Sequence, residues 1–281
     1  MEKSIKKYFW LFALPALICF LIAFVIPFFW GLVLSFCKFT NITNASFIGF
    51  SNYIKAFTID NYFTNSFWFT LFFTIVTVLS INILAFTLAI LLTRDIKGTN
   101  TFRTIFFMPN LIGGIVLGWV WNVIINGALA YFETSITARA SYGFWGLVIL
   151  MNWQNVGYMM VIYIAAIQNI QTDMLEAAEI DGASSSTTLF KIIIPAVMPS
   201  ITICLFMTIT NGFKLYDQNL ALTAGGPNHK TEMLAMNIFN TFYGRVGFEG
   251  VGQAKAVIFT IIVAAIALMQ LKITRKKEVE N

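Results

Sequence analysis

Amide and aromatic side chains gather in two uncharged, apolar stretches of the sequence. The candidate residues are Asn152, Trp153, Gln154 and Tyr158 in the first stretch, Asn211 near the end of the second, and Lys214 and Asp217 just beyond it. Amide groups both donate and accept hydrogen bonds, and aromatic faces pack on apolar C–H surfaces, so this set suits a neutral molecule rich in hydroxyl groups. The same side chains would also serve as hydrogen bonds between helices or as interfacial anchors. Both interpretations stay open for each residue.

Two of these candidates carry charge. Lys214 and Asp217 are three residues apart, so they could pair on one face of a helix. A position at the outer membrane interface is the alternative.

Few other side chains are of the types that carry out catalysis. His229 is the only histidine, and the three cysteines are scattered, so their spacing supports neither a metal site nor a disulfide framework. The sequence contains no Walker-type Gly-x-x-x-x-Gly-Lys-Ser/Thr run, no His-Glu-x-x-His motif and no Gly-x-Ser-x-Gly elbow. We therefore expect a protein that is not an enzyme and holds no metal or cofactor of its own.

The composition places these residues in a membrane protein. Of the 281 residues, 58% are hydrophobic and 11% are charged, whereas a soluble domain carries about 25% charged residues. Disorder, a secreted disulfide scaffold and nucleic-acid binding each require polarity, many cysteines or a clustered basic face. The net charge of +5 comes instead from Lys and Arg in short connections beside apolar runs, a pattern typical of membrane proteins.

Six intervals are long enough for a helix to cross a bilayer, which requires about 20 apolar residues. We predict one transmembrane domain over 1–281, with spans at about 8–36, 66–93, 104–126, 143–169, 200–223 and 253–272. Lys255, at the edge of the last interval, is expected to extend outward. The first apolar run is too long for a cleaved signal peptide, so we expect it to remain as a span.

The distribution of Lys and Arg predicts the orientation. Eleven lie at the two termini and in alternate connections, against six in the remaining connections. Because cytoplasmic segments carry the excess of these residues, we expect both termini inside.

The connection between the fourth and fifth spans, which we call the 172–199 loop, departs from this pattern. It carries four acidic residues and only Lys191 as a base. A short helix should start near Asp173, where Glu176 completes a capping arrangement, and stop at Gly182. The serines at 184–186 should cap a second short helix that ends at Pro195 and Pro199.

This loop also carries a family signature. Glu176-Ala177-Ala178, three residues, Gly182, nine residues and Ile192-x-Ile194-Pro195 resemble the EAA loop of permease subunits of bacterial ABC importers, whose consensus has Leu at the place of Ile194. Leu222 to Pro227, Leu-Thr-Ala-Gly-Gly-Pro, is similar to a segment common in sugar permeases. Over nearly its whole length the chain resembles the carbohydrate-uptake branch, similar to the maltose and multiple-sugar permeases.

The resemblance implies an all-α, polytopic membrane protein with six transmembrane helices and a cytoplasmic coupling helix, the type I permease fold of ABC importers. It implies that the 172–199 loop docks on a cytoplasmic ATPase through Glu176, Ala177, Ala178, Asp181, Gly182 and Pro195. The implied partners are a second homologous permease, a dimer of ABC ATPase subunits that binds ATP and Mg, an extracellular solute-binding protein, a sugar and the lipid bilayer. The implied location is the bacterial cytoplasmic membrane.

The sequence is also compatible with several alternatives. The 172–199 loop could simply connect the fourth and fifth spans through capped helices, without docking on a partner. The substrate could be a glycerol-phosphate-type polyol, whose permeases carry similar motifs. A self-sufficient secondary transporter would require inverted repeats or buried proton-relay carboxylates, which the sequence does not show, and an intramembrane enzyme would require a nucleophile and a base.

Overall fold

Helices account for most of the regular structure in this computed structural model, which describes residues 2–94 and 97–276. The chain begins with α1 (Glu2–Phe20), a π-helical turn (Leu21–Val25) and α2 (Ile26–Leu34), followed by β1 (Cys37–Lys38), a 3-10 turn (Ile42–Asn44), β2 (Ser46–Phe47) and α3 (Ser51–Thr58). Next come α4 (Asn61–Leu92), α5 (Thr99–Phe107), a 3-10 turn (Met108–Leu111), α6 (Gly114–Ala130) and α7 (Ala140–Gln168). Lys277, counted above for the orientation, lies outside the described residues.

The remaining elements follow α7. They are α8 (Thr172–Ile180), α9 (Ser185–Thr188), a π-helical turn (Leu189–Ile193), α10 (Ile194–Ala196), α11 (Met198–Phe213), α12 (Asp217–Leu222), α13 (Leu234–Gly244) and α14 (Glu249–Arg275). The all-α fold class is confirmed, and the antiparallel pair of β1 and β2, which places Cys37 opposite Phe47, is a small addition to it.

Four helical segments of the described residues are long and apolar enough to cross a membrane alone. They are Ala13–Leu34, Tyr62–Leu92, Ala140–Gln168 and Glu249–Arg275. Two further pairs qualify if each bent pair is counted as one span, namely Thr99–Leu111 with Gly114–Ala130, bent by 102°, and Ser185–Ala196 with Met198–Phe213, bent by 70°. The described chain thus supplies four to six spans.

Both the third and the fifth predicted spans are interrupted, which their uncharged sequence did not predict. In the third, Pro109 lies in a 3-10 turn and Gly113 adopts an extended conformation before α6 begins. Proline lacks a backbone donor and glycine loses more freedom in a helix than other residues, so the chain turns there. The fifth predicted span stops at Phe213, and α12 starts four residues later.

The chain forms two compact units, Met1–Asn61 with Ile238–Thr260, and Tyr62–Asn237 with Ile261–Asn281. The single domain predicted over 1–281 stays a prediction. In the first unit, Leu34, Cys37 and Phe39 pack with Phe242. The Asn52 amide donates to the carbonyls of Ser35 and Cys37, at 2.9 and 2.8 Å.

The first unit also contains a buried group of charges. Lys255 is fully buried, and its ammonium binds the Asp60 carboxylate and the Thr241 hydroxyl. Arg245 Nη1 lies 3.8 Å from the same carboxylate. The prediction that Lys255 extends outward is therefore wrong: a buried ammonium is stable only when it is paired and hydrogen-bonded, and Asp60 provides that pairing.

In the second unit, α7 is the central helix. Its buried side chains take part in two clusters, one around Phe144, Leu147 and Met151 and the other around Met160 and Tyr163.

Candidate functional site

A cavity of about 280 Å³ lies in the second unit, where α7 meets the two helix interruptions. Eight residues line it, namely Asn110, Met151, Gln154, Asn155, Asn211, Lys214, Leu215 and Gln218. Five of these eight side chains are amides and one is an ammonium. The cavity therefore offers hydrogen-bond donors and acceptors on several sides.

One face of α7 forms a wall of this cavity. Met151, Gln154 and Asn155 are spaced by three and four residues, so they lie on the same side of the helix. Gln154 is 8% exposed and Asn155 is buried, and the Asn155 amide donates to the Met151 carbonyl at 3.1 Å. The α7 wall is thus polar but well packed.

Gln154 connects three elements. Its Oε1 accepts a 2.9 Å hydrogen bond from Gln218 Nε2 on α12. Its Nε2 donates to the carbonyl of Ile112 at 3.4 Å, and its own backbone carbonyl accepts from Asn110 Nδ2 at 3.4 Å. The side chain therefore holds the interrupted third span and α12 against α7.

Two glycines of α6 allow α12 to approach closely. A Cβ on Gly114 would lie 2.8 Å from Asp217 Cβ and 3.0 Å from Gln218 Cδ, and one on Gly118 would lie 2.7 Å from Ala221 Cβ. Carbon atoms in contact are normally about 3.5–4.0 Å apart, so only glycine fits at these positions. Asn122 adds a 2.6 Å hydrogen bond to the Leu222 carbonyl.

Of the two alternatives for Lys214 and Asp217, pairing on one helical face does not occur in the structure. Lys214 follows the last residue of α11, and Asp217 is the first residue of α12, so the two do not share a helix. Both are exposed, and no ion pair joins them in the described part of the chain. Lys214 lines the cavity, and Asp217 is not among its lining residues.

Of the other predicted pathway residues, Gln154 and Asn211 line the cavity, whereas Asn152, Trp153 and Tyr158 do not. Asn152 donates to Ser80 Oγ at 2.9 Å and to the Val148 carbonyl at 2.8 Å, so its contact is between helices. The Trp153 ring meets Trp121 edge-on at 5.7 Å, and the Tyr158 ring centroid lies 6.3 Å from that of Phe107.

Among the polar lining residues, Asn110 is the one that lies outside the two regions of the sequence that supplied the candidates. It lies in the 3-10 turn of the interrupted third span. The Pro109–Asn110 pair and the Gly113–Gly114 pair are signals of a break. They could have identified this position as irregular backbone beside a cavity.

The 172–199 loop folds as two helices around Gly182. Gly182 has a φ of +72°, and its backbone N–H donates to the Glu179 carbonyl at 3.0 Å. The Ser184 hydroxyl accepts from the Thr187 N–H at 3.3 Å and so caps α9. The predicted turn at Gly182 and the predicted serine cap are both confirmed.

Two details of this loop differ from prediction. Gln171 rather than Asp173 is the N-cap of α8, and its side chain makes no capping hydrogen bond. Pro195 lies in α10 and Pro199 in the first turn of α11, because proline is tolerated in a first helical turn, where its missing N–H has no partner in any case.

The α8 surface is acidic and partly apolar. Glu176, Ala177, Asp181 and Gly182 are exposed, whereas Ala178 is buried within the chain. Of the two alanines, only Ala177 is available to a partner. Ile180 is 86% exposed, and Phe190, beyond the turn, is 66% exposed, which leaves apolar side chains of the kind that mark interaction sites.

His229 belongs to a side-chain pair and not to a cluster. Its Nδ1 lies 2.8 Å from Glu232 Oε2, and its ring packs on Tyr62 at 4.6 Å. Within residues 2–94 and 97–276 there is no group of three or more His, Cys, Asp and Glu side chains that could hold a metal ion.

A polytopic helical protein with a polar cavity between interrupted helices is, as a class, a membrane transport protein, because irregular backbone at membrane depth is tolerated where it lines a cavity. Residues 96–277 match the family of binding-protein-dependent transport system inner membrane components. The chain belongs to this family of permease subunits of ABC transporters, and it is a multi-pass membrane protein.

Relatives and solved structures agree with this family. The chain is 42% identical to the probable starch degradation products transport system permease protein AmyD of Thermoanaerobacterium thermosulfurigenes, over 97% of this chain and 96% of that protein. It is 30% identical to the multiple sugar-binding transport system permease protein MsmF of Streptococcus mutans, over 99% of both. A bacterial ABC transporter for import of the acidic polysaccharide alginate has the same fold, with a TM-score of 0.82 at 19% identity over 98% of both chains.

Proposed function

We propose that this chain is a permease subunit of an ATP-driven importer that moves a sugar or oligosaccharide across the bacterial cytoplasmic membrane. The observation that carries the proposal is the amide-lined cavity between the two helix interruptions. AmyD and MsmF are named as permeases for starch degradation products and for multiple sugars, which supports a carbohydrate as the passenger.

The chemistry of the cavity favours a neutral, hydroxyl-rich solute. Amides of Asn110, Asn155 and Asn211 can each donate to and accept from a sugar hydroxyl. None of the eight described lining residues is an arginine or a carboxylate, whereas anion sites typically contain arginine. Lys214 supplies one positive charge, so an anionic passenger is the alternative that the transport assay must distinguish.

The 172–199 loop is the proposed docking site for a partner ATPase. Its exposed acidic face and the exposed Ile180 and Phe190 offer charge and apolar area to a groove. The turn at Gly182 fixes α8 relative to α9, so a movement of α8 is transmitted toward α11 as a rigid body. ATP and Mg would be bound by the ATPase dimer and not by this chain.

The complete importer would contain two further partners. These are a second, homologous permease subunit and an extracellular solute-binding protein that delivers the sugar. Both termini and the 172–199 loop would be cytoplasmic, as the excess of Lys and Arg predicts.

The coupling part of the proposal is tested with Gly182→Pro in the purified transporter. Proline fixes φ near −65° and is incompatible with the left-handed backbone at this turn, so we expect ATP hydrolysis to continue while sugar uptake is lost. Gly247→Pro is the matched control, because Gly247 has a φ of +82° and open space around it but lies outside the loop. Wild-type uptake in Gly182→Pro would remove the coupling assignment.

The cavity is tested with Asn155→Ala and Asn152→Ala, which are neighbouring substitutions of the same chemistry. Asn155 lines the cavity, whereas Asn152 binds Ser80. We expect Asn155→Ala to raise the KM for sugar uptake and Asn152→Ala to leave KM unchanged. The opposite pattern would move the pathway to the side of α7 that contacts Ser80.

A further inference from the structure

We propose that the Gln154–Gln218 hydrogen bond is a clasp that a sugar in the cavity replaces, and that this replacement releases α12 from α7. The proposal rests on the proposed function, because it assigns a role to two residues of the same cavity. It concerns how the cavity responds to its solute.

The two amides are hydrogen-bonded to each other inside the cavity wall. Gln218 Nε2 donates to Gln154 Oε1 at 2.9 Å, and both residues line the cavity. A sugar hydroxyl can accept from the same N–H and donate to the same carbonyl oxygen. A bound solute therefore competes for the atoms that form the clasp, and a hydrogen bond exchanged in this way costs little net free energy.

The segment that carries Gln218 is short and flanked by irregular backbone. α12 contains six residues, and the residues between Phe213 and Asp217 are not helical. Hinges of this kind absorb changes in φ and ψ while the helices on either side stay intact.

α12 is packed on α6 more tightly than a side chain at the contact would permit. Gly118 leaves room for Ala221, and Gly114 leaves room for the Gln218 amide itself. α6 begins after the 102° bend of the third span. α6 and α12 are thus in direct contact, and each begins after an interruption of the preceding helix. α12 can shift relative to α7 once its own contact to that helix is released.

The clasp is one of the contacts that oppose this shift. Gln154 also donates to the Ile112 carbonyl beside the α6 bend, so one α7 side chain contacts both the segment before α6 and α12. When a hydroxyl takes the Gln218 donor, the α12 contact to Gln154 is lost while the Ile112 contact remains.

The test measures ATP hydrolysis by the assembled transporter in nanodiscs, with and without binding protein loaded with maltotriose. The variants are Gln154→Met, Gln218→Met and the double variant, which keep side-chain length and remove the hydrogen bond. The matched control is Gln270→Met, which removes a glutamine hydrogen bond to the Thr202 carbonyl and lies outside the cavity lining.

We expect Gln218→Met to raise solute-independent hydrolysis about fivefold, the equivalent of one neutral hydrogen bond. Gln154→Met also loses the bond to the Ile112 carbonyl, so we expect it to raise hydrolysis at least as much. The double variant should rise no further than the higher single variant, because the bond is already lost, and Gln270→Met should stay at the wild-type rate. If a methionine variant does not assemble, Gln218→Asn is used instead. It shortens the side chain by one methylene, so its amide no longer reaches Gln154 and the same bond is tested.

Wild-type solute-independent hydrolysis in Gln218→Met or Gln218→Asn, or increases that multiply in the double variant, would overturn the clasp. Maltotriose uptake by the wild-type transporter separates the two proposals. If the wild type takes up maltotriose but the Gln218 variants show wild-type solute-independent hydrolysis, the clasp alone is refuted. If the wild type takes up no maltotriose, the proposed function is refuted.

Discussion

A single methyl group added at Gly118 should displace α12, which carries the cavity residue Gln218. The Cβ of Gly118→Ala would lie 2.7 Å from Ala221 Cβ and 3.1 Å from the Gln218 carbonyl oxygen. Since carbon atoms in contact are about 3.5–4.0 Å apart, α12 must move away from α6 by about 1 Å. Gln218 lies on α12, so we expect this displacement to break its 2.9 Å hydrogen bond to Gln154.

The free energy of unfolding should fall accordingly. Overpacking costs about 1–3 kcal/mol, and the lost hydrogen bond costs about 1 kcal/mol. Alanine is more favourable than glycine in a helix by about 1 kcal/mol, which offsets part of this cost. We expect Gly118→Ala to be destabilised by about 1–3 kcal/mol relative to the wild type, and its sugar uptake to fall.

Gly127→Ala is the control for this prediction. Gly127 lies in the same helix, and its added Cβ meets nothing within 4 Å, so it should gain about 1 kcal/mol from propensity alone. Thermal unfolding of the purified protein and sugar uptake are measured for both variants. If Gly118→Ala unfolds at the same temperature as Gly127→Ala and transports at the wild-type rate, α12 does not pack on α6 as closely as the structure indicates.

Two further predictions concern the buried charges and the topology. Lys255→Met should destabilise the protein by up to about 3–5 kcal/mol, because the buried Asp60 carboxylate then loses the Lys255 ammonium, while Arg245, at 3.8 Å, is a more distant charged partner. The double variant Asp60→Asn with Lys255→Met should recover part of this loss in a thermal unfolding assay, and a double variant less stable than Lys255→Met would contradict the pairing. A single cysteine at Ser185 should react with an impermeant thiol reagent in inverted vesicles and not in intact cells, and labelling from outside would reverse the orientation.

Local signals predicted the parts of the fold that depend on neighbours in the sequence. The turn at Gly182 and the cap at Ser184 follow from backbone freedom and side-chain hydrogen bonding over a few residues, and both occur in the structure. The apolar spans follow from composition. These features do not require knowledge of which helices meet.

Features that depend on tertiary contacts were not predictable in this way. Asn152 and Asn155 are three residues apart in one helix, yet one binds Ser80 and the other lines the cavity. Asp60 and Lys255 are 195 residues apart, so no window of the sequence contains both. Sequence patterns identify polar residues in a span, but the packing of the neighbouring helices decides which of them reach the cavity.

The central claim is that this chain forms part of a pathway for neutral sugars. Its most direct test is uptake by proteoliposomes that contain this chain, its partner permease and the ATPase, supplied with the solute-binding protein and ATP. Labelled maltotriose is compared with a labelled glycerol phosphodiester at equal concentration. We predict ATP-dependent accumulation of maltotriose in excess of the phosphodiester, whereas preference for the phosphodiester would contradict the claim and assign Lys214 to an anion site.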